Sequence, residues 1–107
     1  MLSEKNKRKI ADKIAEKQAE AEKLNNLLEA HTNAYTYNMD QKEKMLEKAK
    51  NAHSKEERQK YEKEAKRYES MANNDHNNAS AVDNDIANTE KSIDKLKSKL
   101  NKEKGTR

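Results

Sequence analysis

The residues best suited to chemistry are His31, Asp75 and His76. Two imidazoles and a carboxylate brought into one layer would make a three-ligand metal site with an open position. The same groups have a plainer use. His31 and Asp75 both fall on apolar helical seams, where a buried polar pair fixes the register of two helices as a single polar core residue does in coiled coils. The register pair is the expectation, and no metal is. His53 falls on a turn and needs no special role. The chain contains no Gly-rich phosphate loop, no Gly-x-Ser-x-Gly, no His-Glu-x-x-His and no Cys, so the common nucleophile and metal motifs lack their residues. Catalysis needs convergent groups in a pocket. Two paired helices supply little of either, so neither an enzyme nor a bound cofactor is expected.

A second chemistry is phosphate binding. Residues 1–17 hold Lys5, Lys7, Arg8, Lys9, Lys13 and Lys17 against Glu4, Asp12 and Glu16, a net of +3. Residues 91–107 hold Lys91, Lys95, Lys97, Lys99, Lys102, Lys104 and Arg107 against Asp94 and Glu103, a net of +5. If the chain folds back on itself these ends meet, and the +4 total leaves the remainder at −4. Lys5, Lys7, Arg8, Lys9, Lys97, Lys99, Lys102 and Lys104 are the candidate phosphate contacts, for nucleic acid or anionic lipid. The bland alternative is solvated helix ends. The aromatics are four tyrosines, at 35, 37, 61 and 68, none in the basic ends, and no groove-reading motif is present. Nucleic-acid binding, if it occurs, would be architectural and non-specific.

Composition dictates the elements that must carry these groups. Of 107 residues, 41% are charged and 31% hydrophobic, with no Trp, Phe, Pro or Cys and a single Gly. A β-sandwich or doubly wound sheet lacks its strand and turn residues here. No apolar run approaches a membrane span, and no signal-peptide core follows Met1. Few large aliphatics suggest disorder, but basic and acidic residues nearly balance, and the apolar residues are periodic. Tyr61, Ala65, Tyr68, Ala72, Asp75, Ala79, Val82, Ile86, Thr89, Ile93, Leu96 and Leu100 alternate steps of four and three, a heptad seam. The N-terminal half repeats the rhythm from Ile10 to Ala52 with more polar members. Glu4 with Arg8, Glu56 with Lys60 and Glu62 with Lys66 have the order of helical ion pairs.

The seams break near residues 51–55. Ser54 and Glu57 fit a capping box, with Glu56 and Glu57 at the positive end of a new helix. These signals predict an all-α fold in one helical domain, residues 1–107: a long antiparallel two-helix coiled-coil hairpin. Helix one covers about 3–52 and helix two about 55–103, each roughly 70 Å long. Gly105 then serves as a stop before a flexible basic C-terminal tail. Seam partners should have residue numbers summing to about 107, as in Ile14 with Ile93, Tyr35 with Ala72 and Lys42 with Ala65. His31 and Asp75 then fall in one layer. The rival is a three-helix bundle, broken at Tyr37–Asp40 and again in the Asn-rich stretch 73–78, where Asn and Asp compete for their own backbone.

A further stripe lies beside the main seam: Leu27, Ala30, Ala34 and Tyr37 repeat at three and four, and Met39 and Leu46 also lie off the seam. One use is a widened core face. The other is contact with another protein's helix, including a second copy in a four-helix bundle, because so small a core rarely stabilises a chain by more than a few kcal/mol. The function expected is therefore a helix-docking adaptor, assembly scaffold or secretion-type chaperone, in the cytoplasm unless exported by a non-classical route. In shape the chain resembles the small helical-hairpin partner proteins of bacterial secretion systems. It lacks the Trp-x-Gly turn of that group, so no residue role carries over. Thirteen Asn and twenty Lys fit an AT-rich bacterial or phage genome.

Overall fold

The computed structural model describes residues 2–105, with side chains described as far as Lys102. Among the described residues there are two α-helices and no strand: α1 is Glu4–Lys50 and α2 is Lys55–Gly105. The chain is an all-α helical hairpin; α2 starts where the Ser54 and Glu57 capping signal places it, and α1 ends at Lys50, two residues short of the expected end near 52.

Each terminus has a local cause. At the start of α1, Ser3 Oγ accepts from the Asn6 backbone N–H at 3.1 Å, and the Ser3 carbonyl accepts from Lys7 at 2.9 Å. That is an N-cap satisfying donors that the first turn leaves orphaned. α1 ends without glycine or any positive φ. Its last carbonyls are used by Asn51, which donates to Glu47 at 3.2 Å, and by Ala52, which donates to Ala49 at 3.3 Å in a tighter three-residue closure. Lys48 and Lys50 sit in this last turn, at the negative end of the helix. Across the turn, Ser54 Oγ accepts from the Glu57 N–H at 3.1 Å and its carbonyl accepts from Arg58 at 3.0 Å. The hydroxyl half of the expected capping box is thus formed.

Three expectations are corrected. The three-helix alternative fails, because residues 37–40 and 73–78 lie inside unbroken helices. Thr32 and Thr36, which precede the first suspected break, bond carbonyls one turn back, at 2.9 and 3.2 Å. The Asn-rich stretch is held by its seam: Ala72 is buried, Ala79 is half-buried and Asp75 is tied to the other helix. Gly105 is the last residue of α2 rather than a stop beyond it, and the expected tail past it lies outside the described residues. Of the ion pairs, Glu4 takes Lys7 at 3.7 Å rather than Arg8, and among the described residues neither Glu56 nor Glu62 closes its expected pair. Exposed pairs of this kind gain too little to hold two long side chains in one geometry.

Contacts gather the chain into two compact units, Leu28–Ala81 and the pair Met1–Leu27 with Val82–Arg107. The first contains the turn. Its buried seam residues are Asn38, Ala49, Ala65 and Ala72, with Met45, Tyr61 and Tyr68 half-buried beside them. Small residues dominate this buried set. The second unit buries Val82, Ile86, Thr89 and Ile93 from α2, while α1 contributes half-buried Ile10, Ile14, Lys17, Ala21 and Leu24. No large side chain anywhere among the described residues is fully buried.

The register within Leu28–Ala81 also differs from expectation. Partner numbers sum to 113 for Asn38 with Asp75, 111 for Lys42 with Glu69 and for Tyr35 with His76, and 109 for Lys48 with Tyr61. They do not sum to 107. Seam side chains cannot stand knob against knob; each enters the gap between residues of the facing helix, so contacts are offset from direct pairing, here by two to six residues.

The Ser54 cap predicts a specific loss. Ser54→Ala should destabilise the chain by about 1 kcal/mol in urea unfolding, and Ser54→Asp should retain most of that stability.

Candidate functional site

The polar layer expected from His31 and Asp75 is built differently. Asp75 Oδ2 accepts a 2.7 Å hydrogen bond from Asn38 Nδ2, not from His31. Asn38 is buried, Asp75 is half-buried, and the two come from facing helices. The pairing explains the exchange: Asn38 lies seven residues, two helical turns, beyond His31 on the same seam, and the higher partner sums bring it to the carboxylate. Asn38 was visible in the sequence as a polar seam member, and the assumed register alone hid its role. His31 stays half-buried on the seam, while His76 is exposed and packs its ring against Tyr35 with centroids 6.0 Å apart at 48°. Among the described residues no three His, Asp or Glu side chains gather as metal ligands would.

The candidate docking residues divide between the two flanks of the hairpin. Ala34 precedes the seam residue Tyr35, and Met71 precedes the seam residue Ala72 on α2, so both lie on one flank of Leu28–Ala81, with Tyr37 outside them. Met39 and Leu46 each follow a seam residue and lie on the opposite flank. Tyr37 is 59% exposed and Leu46 45%, with Met71 also open at 39%. Ala30 is exposed, and Ala34 and Met39 are half-buried. Leu27, in the other unit, is 45% exposed. Met71 is the member that sequence reasoning missed; its signal was its place one residue before a buried alanine.

The basic residues also divide. Lys5, Arg8 and Lys9 project into solvent, and Lys7 is half-buried beside Glu4. Lys97 lines a groove of about 470 Å³ that also carries Glu22, Glu90 and Asp94, so its charge is offset locally. Lys102 has its own interactions, and Lys104 lies outside the described side chains. Lys99 sits elsewhere, in a groove of about 340 Å³ shared with Lys13, Lys17 and Lys95. Those three were not among the sequence candidates. What marks them is their i, i+4 spacing, Lys13 with Lys17 and Lys95 with Lys99: Lys13, Lys95 and Lys99 each precede a seam residue, and Lys17 lies on the seam itself.

The Asn38–Asp75 bond should show as a coupling. A double-mutant cycle with Asn38→Ala and Asp75→Ala should give about 1.5 to 3 kcal/mol in urea unfolding, the range for a hydrogen bond to a charged group. Replacing both with Leu should raise the melting temperature, because an apolar pair is not desolvated at a cost. Compared with protein-family models, with curated proteins and with solved structures, this chain has no match that would add to what its own residues say.

Proposed function

We propose that this chain is a non-enzymatic interaction module that docks helices, with a second copy of itself as the simplest partner and an adaptor, scaffold or chaperone role built on that contact. The observation that carries this reading is the exposure of Tyr37 and Met71 on one flank of Leu28–Ala81, beside a seam of alanines.

The energetics support it. The chain exposes 8407 Å². A compact monomer of 12.4 kDa exposes about 6,100 Å². The excess is larger than the roughly 800 Å² each partner contributes to a stable interface. A core without one fully buried large side chain gains little from burial, and a second pair of helices laid over Ala34, Tyr37 and Met71 would bury what the hairpin leaves open. Leu46, on the other flank, offers a further contact for a different helix.

Light scattering after size exclusion tests this across a range of protein concentrations. The expected particle is about twice 12.4 kDa. Tyr37→Asp combined with Met71→Asp should return the mass to that of one chain while circular dichroism stays helical, since both residues are already open to water. A single-chain mass at every concentration, or a dimer indifferent to both substitutions, would overturn the self-docking reading.

A further inference from the structure

The unit made of Met1–Leu27 and Val82–Arg107 carries a feature that helix docking does not use. Lys13 and Lys17 on α1 and Lys95 and Lys99 on α2 line one groove, with the Ser92 hydroxyl and the half-buried Leu96 between them. We propose that this groove binds the phosphodiester backbone of nucleic acid, with one strand's phosphates lying along it and no base being read.

The charge arrangement is the first argument. No carboxylate lines this groove, whereas its neighbours in the same unit carry Glu20 and Asp85 in one case and Glu22, Glu90 and Asp94 in the other. Among the described residues Lys13, Lys95 and Lys99 are held in no ion pair, and Lys17 has one, to Glu20 at 3.5 Å. Four like charges converging from two helices repel one another, a cost that an arriving polyanion relieves. The second argument is spacing. Residues four apart on a helix are about 6 Å apart along its axis, close to the separation of successive phosphates on one strand. Each lysine pair therefore meets neighbouring phosphates, and Ser92 supplies a hydroxyl donor of the kind that positions a backbone.

The groove favours nucleic acid over a membrane. The half-buried Leu96 is the one apolar residue lining it, and Leu27, Tyr35, Tyr37, Leu46 and Met71, the exposed large apolar residues among the described ones, do not. A lipid-seeking helix face needs apolar residues to bury among acyl chains. Base reading is absent for a matching reason: all four aromatics lie in Leu28–Ala81, so this unit has no ring on which a base could stack.

The test is fluorescence anisotropy with a labelled DNA duplex of about 20 base pairs, using the full chain from 50 to 200 mM salt. Four phosphate contacts give a log–log salt slope of about −3.6, a loss of about 150-fold over that range. The variant K13Q/K17Q/K95Q/K99Q should bind at least tenfold more weakly at 50 mM salt with a much flatter slope. The control K44Q/K50Q/K60Q/K63Q, with the same charge change at exposed positions of Leu28–Ala81, should keep both affinity and slope. Circular dichroism checks that the variants stay helical; should the fourfold variant unfold, K95Q/K99Q, at two exposed positions, should still halve the slope. No duplex binding at 50 mM salt, or equal loss in groove and control variants, would overturn the proposal. So would capture by phosphatidylserine vesicles without capture by the duplex.

Discussion

A helix with one narrow apolar stripe cannot hide that stripe by itself, and every other feature of this protein follows from the need to cover it. The four-three alternation of Tyr61 to Leu100 and of Ile10 to Ala52 makes each helix complementary to another of its kind. A short turn makes that other helix part of the same chain. Ser54 decides where the turn ends by accepting from Glu57, and Ser3 decides where α1 begins in the same way. Neither cap supplies much energy. They set the frame in which the seams meet.

The size of the seam residues then sets what remains for function. The buried alanines at 49, 65 and 72 of Leu28–Ala81 are small and contribute little buried area. Tyr37, Leu46 and Met71 are consequently left on the flanks, outside the reach of the contact that their own helices make. In the other unit the valine and isoleucines of α2 provide more apolar burial, and apart from the exposed Leu27 its grooves carry charge, lysines in one and mixed charges in another. Apolar flanks suit helices and cationic flanks suit phosphates, so the two proposals address different units and different chemistry.

Polar seam residues add specificity where alanines add little. The hydrogen bond from Asn38 to Asp75 can form in one register only, and sliding either helix by a turn would leave a buried amide and a half-buried carboxylate unpaired. The Lys42–Glu69 pair, 3.3 Å apart, belongs to the same register. Together they oppose slippage in a seam whose small residues would tolerate it.

Two helices, the start of the second after Ser54 and the membership of both seams were legible in the amino-acid order. These are local properties: periodicity, capping residues and the absence of strand and turn residues act within a few positions of one another. It also determined that no break occurs at 73–78, because the seam runs through Asp75 unbroken, although Asn and Asp pull the other way. Which residue meets which was not legible there and emerges from packing. Asn38 rather than His31 reaches Asp75, and Lys13, Lys17 and Lys95 rather than Lys5, Arg8 and Lys9 share a groove with Lys99. Partner choice depends on how knobs enter holes on the facing helix, and a shift of one heptad, two helical turns, leaves every heptad position unchanged in the sequence while exchanging every contact across it.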